Sequence, residues 1–280
     1  MKWTLQLRND AVFAGPVEAR SLVHNIQQCQ SVDQVQSMTL TVGRTKVSFG
    51  DLCEIHGQSD ADHVVELSGD FSQWNGLGFG FKSGYLRIIG ETGARTGSEI
   101  SGGIIEIFGN TGAWTGTAAS GGRIVVHGDT GNWLGCNWPG ETRGINGCEL
   151  IVNGNVGDHV GVRMRRGCIA VQGQAGSGLG RSMIAGSIFV SGTVGGPIGT
   201  GMKRGSIVIA SQPVQNTIPL WQSNGFPDAG RFRPLTLNMQ LKYLAECGWK
   251  AADTMQELPD CQRFIGDLAN SGLGEILVLS

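Results

Sequence analysis

Short apolar segments with alternating side chains recur along the middle of the chain, and each is followed by the same spacing of glycines. The segments read YLRII, IIEIF, RIVVH, ELIVN, CIAVQ and SIFVS. The glycines then follow as G-x-x-G-x-x-x-G. The copies are Gly90/Gly93/Gly97, Gly109/Gly112/Gly116, Gly128/Gly131/Gly135, Gly154/Gly157/Gly161, Gly173/Gly176/Gly180 and Gly192/Gly195/Gly199. Their first members lie 19, 19, 26, 19 and 19 residues apart. A fixed period of this length predicts stacked repeats in which each copy touches only its neighbours.

Read with period two, each segment turns two residues inward. One ladder is Leu86, Ile105, Ile124, Leu150, Ile169, Ile188 and Ile207; the other is Ile88, Ile107, Val126, Val152, Val171, Val190 and Ile209. A third ladder runs through the glycine segments as Thr96, Thr115, Leu134, Val160, Leu179 and Ile198. A 19-residue repeat is too short to bury its own apolar face, and these segments are rich in β-branched residues. The expected fold is therefore all-β: a right-handed parallel β-helix, a solenoid whose equivalent side chains lie about 4.8 Å apart. The repeat glycines are expected to serve tight corners and positive-φ positions, where a Cβ would clash.

Three stretches follow from where the period begins and ends. Residues 1–60 form an irregular cap and lead-in, 61–210 the glycine-repeat β-helix, and 211–280 a C-terminal arm with a short helix. In the cap, Trp3 to Leu7 alternates as a strand and Glu18 to Gln28 is expected as a short helix. Gln212 to Phe232 carries Pro213, Pro219 and Pro227 and reads as an extended crossing segment. Leu237, Leu241 and Leu244 mark a helix up to Cys247, with Gly248 as its stop. The array's one irregularity, seven extra residues around Cys136 to Arg143, is expected as a projecting loop. Trp138 in that loop either meets a partner or folds back on the rod.

Composition adds exclusions. The chain has 280 residues, 46 of them Gly, with no G-X-Y period, so it is not collagen. A net charge of −2 gives no overall pull toward nucleic acid or membrane. No apolar run is long enough to span a bilayer, and the N-terminus lacks the apolar core of a signal peptide. The seven cysteines are scattered without a C-x-x-C, as expected of reduced thiols in a cytoplasmic protein.

Few positions carry chemistry. Gly176 to Gly180 and Gly76 to Gly80 echo nucleotide loops, but a β segment follows where a helix is needed. The histidines have no zinc-type spacing, and no nucleophile motif occurs, so neither a metal nor a catalytic residue is assigned. Two surface features stand out. The outward middle position of successive strands is apolar at Val125, Ile151, Ala170, Phe189 and Val208, a patch that the chain's own arm or another subunit must cover. The corners before the strands gather Arg163, Arg165, Arg166, Lys203 and Arg204, a basic ridge suited either to carboxylates or to solvent. Trp114 and Trp133, one repeat apart, share an outward position.

The repeat resembles the glycine-repeat domain of the glutamate synthase large subunit. It is closer to the C subunit of formylmethanofuran dehydrogenase and of the bacterial formyltransferase/hydrolase complex. The lead-in Ser48 to Gly57, the turn Gly201-Met202-Lys203-Arg204-Gly205 and the closing Gly266-Asp267-Leu268 and Gly272-x-Gly274-Glu275-Ile276-Leu277 carry that resemblance. With the chain length, they favour a free-standing C subunit. The resemblance implies a scaffold in one-carbon metabolism. A formyl group passes from formyl-tetrahydromethanopterin to a methanofuran-type carrier and is hydrolysed to formate during formaldehyde oxidation. Amidohydrolase-like and formyltransferase-like partner subunits do the chemistry, with the metal in a partner and no cofactor bound by this chain alone. The carrier's polyglutamate tail makes the basic ridge its expected holding site, with Val125, Ile151, Phe189, Val208 and Trp138 as candidate partner contacts. The C subunit of the CO2-reducing dehydrogenase, a glutamate synthase-like structural module and a free-standing carbohydrate-reading repeat protein are the alternatives.

Overall fold

The computed structural model describes residues 2–9, 15–58, 63–210, 225–254 and 260–279. The repeat segments become strands β8 (Tyr85–Ile89), β9 (Ser101–Phe108), β10 (Gly121–Val126), β11 (Asn146–Val152), β12 (Arg166–Val171), β13 (Ser187–Val190) and β14 (Ser206–Ile209). Each pairs in parallel with the next, so that Leu86, Ile105, Ile124, Leu150, Ile169, Ile188 and Ile207 stand in register. Every member of the two inward ladders is buried, because alternation along a strand puts both on one face. The ladder from Thr96 to Ile198 is buried as well. Its threonines stay satisfied: Thr96 and Thr115 each place a hydroxyl 3.0 Å from that of Thr92 or Thr111. Isolated parallel bridges tie Phe71, Thr92, Thr111, Thr130, Val156, Ala175 and Val194 from one repeat to the next.

The repeat glycines are not all at positive φ, and the three positions of the motif differ. The third glycine of each copy meets the expectation: Gly97, Gly116, Gly135, Gly161, Gly180 and Gly199 lie at φ 63–67°. There the chain passes over the inward ladder, and a Cβ on Gly97 would sit 2.4 Å from the Ile124 side chain. The middle glycines correct it. Gly93, Gly112, Gly131, Gly157, Gly176 and Gly195 have no positive φ and lie outside the turns, each directly after a bridge residue. Close stacking is their reason: a Cβ would lie 2.5 Å from the Trp74 carbonyl at Gly93, 2.7 Å from the Ala113 nitrogen at Gly131 and 2.0 Å from Asn132 Oδ1 at Gly157. Gly195 has more room, its nearest neighbour being 3.6 Å away. Among the first glycines Gly90 alone has positive φ, at 139°. Gly109, Gly128, Gly154, Gly173 and Gly192 mark bends where the preceding repeat would come within 2.3–2.4 Å of a Cβ.

Both ends extend the same sheet, which has thirteen strands among the described residues. At the N-terminal end β6 (Val64–Ser68) pairs in parallel with β8, and β1 (Lys2–Leu7) in parallel with β6. The lead-in strand β5 (Cys53–Gln58) runs antiparallel to β1 and closes that edge. At the other end β17 (Gly274–Leu279) pairs in parallel with β14, setting Ile276 against Ile207 and Val278 against Ile209. The tail thus adds a further rung to both ladders. Antiparallel β16 (Cys261–Gly266) and β15 (Asp228–Phe232) complete the edge. A second sheet combines β2 (Val17–Glu18), β3 (Thr39–Val42), β4 (Thr45–Ser48) and β7 (Trp74–Asn75).

Some local expectations shift. The helix expected from Glu18 is shorter, α1 (Leu22–Gln28), because Glu18 pairs in β2. It buries Leu22, Val23 and Ile26. Helices α2 (Val32–Gln36) and α3 (Phe49–Leu52) complete the cap, with the Ser31 hydroxyl accepting from the Gln34 N–H at the start of α2. The arm helix is α4 (Leu235–Glu246), and Gly248 follows at φ 97°. Residues 211–224 of the expected crossing segment, with Pro213 and Pro219, lie outside the described residues; Asp228–Phe232 is a strand.

Candidate functional site

The outward apolar strip is already covered. Leu237, Leu241 and Leu244 lie one helical turn apart on α4, so they share a face. With Cys247, Trp249 and Ala251 they pack on Val125, Ile151, Ala170, Phe189 and Val208, and all are buried. The Phe189 and Trp249 rings lie 5.9 Å apart. Four expected partner contacts, Val125, Ile151, Phe189 and Val208, are therefore covered by the chain's own arm. Apolar rows on both surfaces bury each other within one chain.

Trp138 also turns inward. Its ring stacks on Trp114 at 5.8 Å, and its Nε1 donates to Glu99 at 2.8 Å. Trp114 stacks on Trp133, and Trp133 meets His159 at 4.2 Å. A half-exposed row of three indoles and one imidazole results, in which Trp114 and Trp133 each have a ring neighbour on two sides. His159 follows Trp133 by the 26 residues of the one long repeat, a spacing that could have found it.

The basic corner is built by the repeat. Arg165-Arg166, Ile184-Ala185 and Lys203-Arg204 are related by steps of 19 residues, each before a glycine and a strand. Hydrogen bonds stack these corners: the Ile184 N–H donates to the Met164 carbonyl at 2.8 Å and the Lys203 N–H to the Met183 carbonyl at 2.8 Å. Gly205 turns the chain at φ 99°, where a Cβ would lie 2.5 Å from the Gly186 carbonyl oxygen. The six side chains line one open depression of about 360 Å³. By the 19-residue step Ile184 and Ala185 hold the middle corner, between Arg165-Arg166 and Lys203-Arg204.

Arg163 is not part of it. It holds φ 54° and donates Nη1 to the Glu141 carbonyl at 3.2 Å, tying the long loop to the next repeat. The other four cations face no carboxylate within salt-bridge distance among the described residues, whereas Arg8, Arg87, Arg95, Arg123 and Arg263 are all paired. Concentrated, uncompensated positive charge favours an anion from outside. Ile184 and Ala185 went unnoticed in the sequence because they carry no chemistry; their spacing was the available signal.

A second cleft of about 260 Å³ lies between the sheet and α4. Gly167, Cys168, Ser187 and Phe189 line its sheet side, and Gln240, Tyr243 and Leu244 its helix side. At its rim Glu149 accepts from Arg123 Nε at 2.8 Å and from the Tyr243 hydroxyl. That hydrogen bond to a carboxylate, with some burial, raises Tyr243 to about 12. Beyond α4, Glu106 accepts from the Tyr85 hydroxyl and lies 2.9 Å from His127 Nε2. Asn153, beside His127, donates to the Gly248 carbonyl at 3.1 Å. This cluster fastens the arm and brings no nucleophile to the histidine. Among the described residues no three metal-ligating side chains gather, and no helix is long and apolar enough to cross a membrane.

Comparison with known proteins gives sequence and fold likenesses to one group. No family model matches the chain. Over 85 residues it is 33% identical to the C subunit of the molybdenum-containing formylmethanofuran dehydrogenase 1 of Methanothermobacter thermautotrophicus, and to the same degree to that of Methanothermobacter marburgensis. The match covers 30% of this chain and spans only 21% of the length of those relatives. A chain of the formyltransferase/hydrolase complex (FhcABCD) from Methylorubrum extorquens, solved in complex with methylofuran, matches 99% of this chain and 99% of its own length. The TM-score is 0.84, with 29% sequence identity. The resemblance to this group is thus found in both sequence and fold.

Proposed function

We propose that this chain is the non-catalytic framework subunit of a formyltransferase/hydrolase complex. That complex moves a formyl group from formyl-tetrahydromethanopterin to a methanofuran-type carrier and hydrolyses it to formate. The observation that carries this reading is the end-to-end fold match, at 29% identity, to a chain of a complex solved with methylofuran. In this reading the repeats form a right-handed parallel β-helix, with residues 1–60 as its cap, 61–210 as its coils and 211–280 as its arm. The consistent parallel register and the second ladder of parallel bridges support that architecture. The chemistry belongs to amidohydrolase-like and formyltransferase-like partners, and the metal to one of them.

A second reading is the C subunit of a formylmethanofuran dehydrogenase, favoured by the 85-residue match at 33% identity. Native purification from the source cells at low salt, with masses of all copurifying chains, tests both. Amidohydrolase-like and formyltransferase-like partners support the first reading. A partner carrying molybdenum or tungsten with its pterin supports the second. A chain that purifies alone overturns both.

A further inference from the structure

We propose that the closing turn, residues 267–273, is a docking knob: Leu268 and Leu273 enter an apolar socket on a partner protein whose rim carries acidic side chains. The inference deepens the framework reading and rests on it for there being a partner chain.

The first observation is two leucines held out in water. Leu268 and Leu273 are 57% and 74% exposed, whereas Leu277 and Leu279 on the strand that follows are buried. A leucine on a loose loop would mean little. This turn is fixed along its length. The Asp267 carboxylate is buried and accepts from the Gly201 N–H at 3.0 Å, the Ala269 N–H at 3.0 Å and Asn270 Nδ2 at 2.7 Å. The Gly272 N–H closes the turn on the Asp267 carbonyl at 2.8 Å, and the Leu273 N–H donates to the Lys203 carbonyl at 2.8 Å. Gly272 lies so close to the preceding turn that a Cβ would stand 2.2 Å from the Met202 carbonyl oxygen. A backbone ordered in advance loses little entropy when a partner seats on it, which suits an anchor.

The second observation is the charge beside the leucines. Ser206 stands opposite Glu275, so Leu273 falls on the rung after Arg204. Lys203 and Arg204 are exposed, and neither meets a carboxylate within salt-bridge distance among the described residues. Glu275, on the adjacent rung, is already taken: it accepts from Ser206 Oγ at 2.6 Å and from Arg263 Nε at 2.8 Å. Two copies of the chain meeting symmetrically through this turn would set these cations like against like. A lipid surface also takes leucines beside cations, but it is flat, and Lys203 and Arg204 line a depression that a protruding acidic side chain enters. Apolar anchors ringed by unpaired positive charge therefore fit an acidic protein surface.

The test uses the assembly purified from the source cells and the isolated full-length chain. Hydroxyl-radical footprinting compares the two. Leu268 and Leu273 are expected to oxidise readily in the isolated chain and to be protected in the assembly. Leu268→Asp with Leu273→Asp, expressed as the only copy, is expected to lower the yield of copurifying partner about tenfold or more. Both positions are exposed, so the unfolding temperature of the isolated variant is expected to stay that of the wild type. Lys203→Glu with Arg204→Glu is expected to weaken assembly at low salt and to do so less as salt rises. Met239→Asp, an equally exposed position on α4, is expected to leave assembly intact. Leucines that oxidise equally in both states, or an equal loss in Met239→Asp, overturn the knob. So does a wild-type dimer of the isolated chain that the leucine variant abolishes, or leucine-dependent binding to anionic phosphatidylglycerol vesicles. A wild-type chain that purifies alone removes the framework reading and the knob with it. An assembly that survives the leucine variant removes only the knob.

Discussion

Trp114 and Trp133 stand one repeat apart and stack face to face, with ring centroids 5.2 Å apart and planes 8° from parallel. The separation follows from the strand spacing of about 4.8 Å, which brings equivalent side chains of neighbouring repeats to ring-stacking distance. Both residues hold φ 67°, a left-handed conformation costly for a bulky side chain. Gly76 and Gly178 occupy the same place in other repeats at φ 75° and 77°. The strained tryptophans therefore persist because their neighbours fix them.

Stacked indoles couple their electronic transitions, so near-ultraviolet circular dichroism reads the pair. In Trp133→Gly the backbone relaxes while the coupling vanishes. Because relief of strain partly offsets lost stacking, stability is expected to fall by only about 1 kcal/mol. An unchanged near-ultraviolet spectrum would show that the two rings are not stacked in solution.

Leu241 lies at the centre of the arm's buried face. Leu241→Asp sets an unpaired charge in the buried seam between α4 and the strip, and is expected to lift α4 from the sheet. Limited proteolysis then cuts within α4, and an apolar dye binds the uncovered strip. Leu241→Ala, a milder lesion, costs about 2–5 kcal/mol in arm attachment. Equal protease resistance in Leu241→Asp and wild type would contradict the packing described.

Glycines of the repeat serve two purposes, and substitution separates them from a loop glycine. At Gly112 a Cβ would sit 2.7 Å from the Ala94 nitrogen of the preceding repeat. Gly112→Ala must push two repeats apart and is expected to cost more than about 3 kcal/mol. Gly140, in the long loop at φ 87°, has open space around it, so Gly140→Ala pays only backbone strain of about 1 kcal/mol. Chemical denaturation of both variants gives the order, and equal costs would refute it.

Burial raises the Cys53 thiol from the ordinary value of 9.0 to about 12, with Arg8 pulling weakly the other way. It raises Cys136 to about 11, opposed by a hydrogen bond from Thr117. The folded chain thus holds these protons after the unfolded chain has released them. Their contribution to stability is complete below about pH 9 and is lost as pH climbs toward 11 and 12. At pH 10.5 the loss from Cys53 is about 2 kcal/mol at most. Unfolding free energies at pH 8 and 10.5 are expected to converge in Cys53→Ala relative to wild type; an equal fall in both would remove Cys53 from the account.

The repeat was legible in the chain because its constraints are local and recur. Alternation sets which residues face inward, and the 19-residue period sets which stand in register, so Ile105 beneath Ile124 and Thr96 beneath Thr115 needed no knowledge of distant contacts. The step from Arg166 to Arg204 was visible in the same way. Glycine spacing was equally plain, but its causes were not. Gly97 and Gly116 are glycines for their backbone angle, Gly93 and Gly131 for the nearness of the repeat before, and a sequence writes both with the same letter. Arg163, one turn before the basic corner, looked equivalent by type but joins the long loop instead, since side-chain direction is not encoded in spacing.

Sequence by itself determined a stacked β array, its buried ladders and its basic corners, because neighbouring repeats impose the same geometry on the same residue types. Only the tertiary structure decided what closes it. Leu237, Leu241 and Leu244 cover the apolar strip, Trp138 caps the tryptophan row, and Gly274–Leu279 adds a rung beside Ser206–Ile209. These pairings join segments with no common period. They are chosen by which apolar and unpaired backbone surfaces remain once the array has formed, and that is a property of the assembled surface.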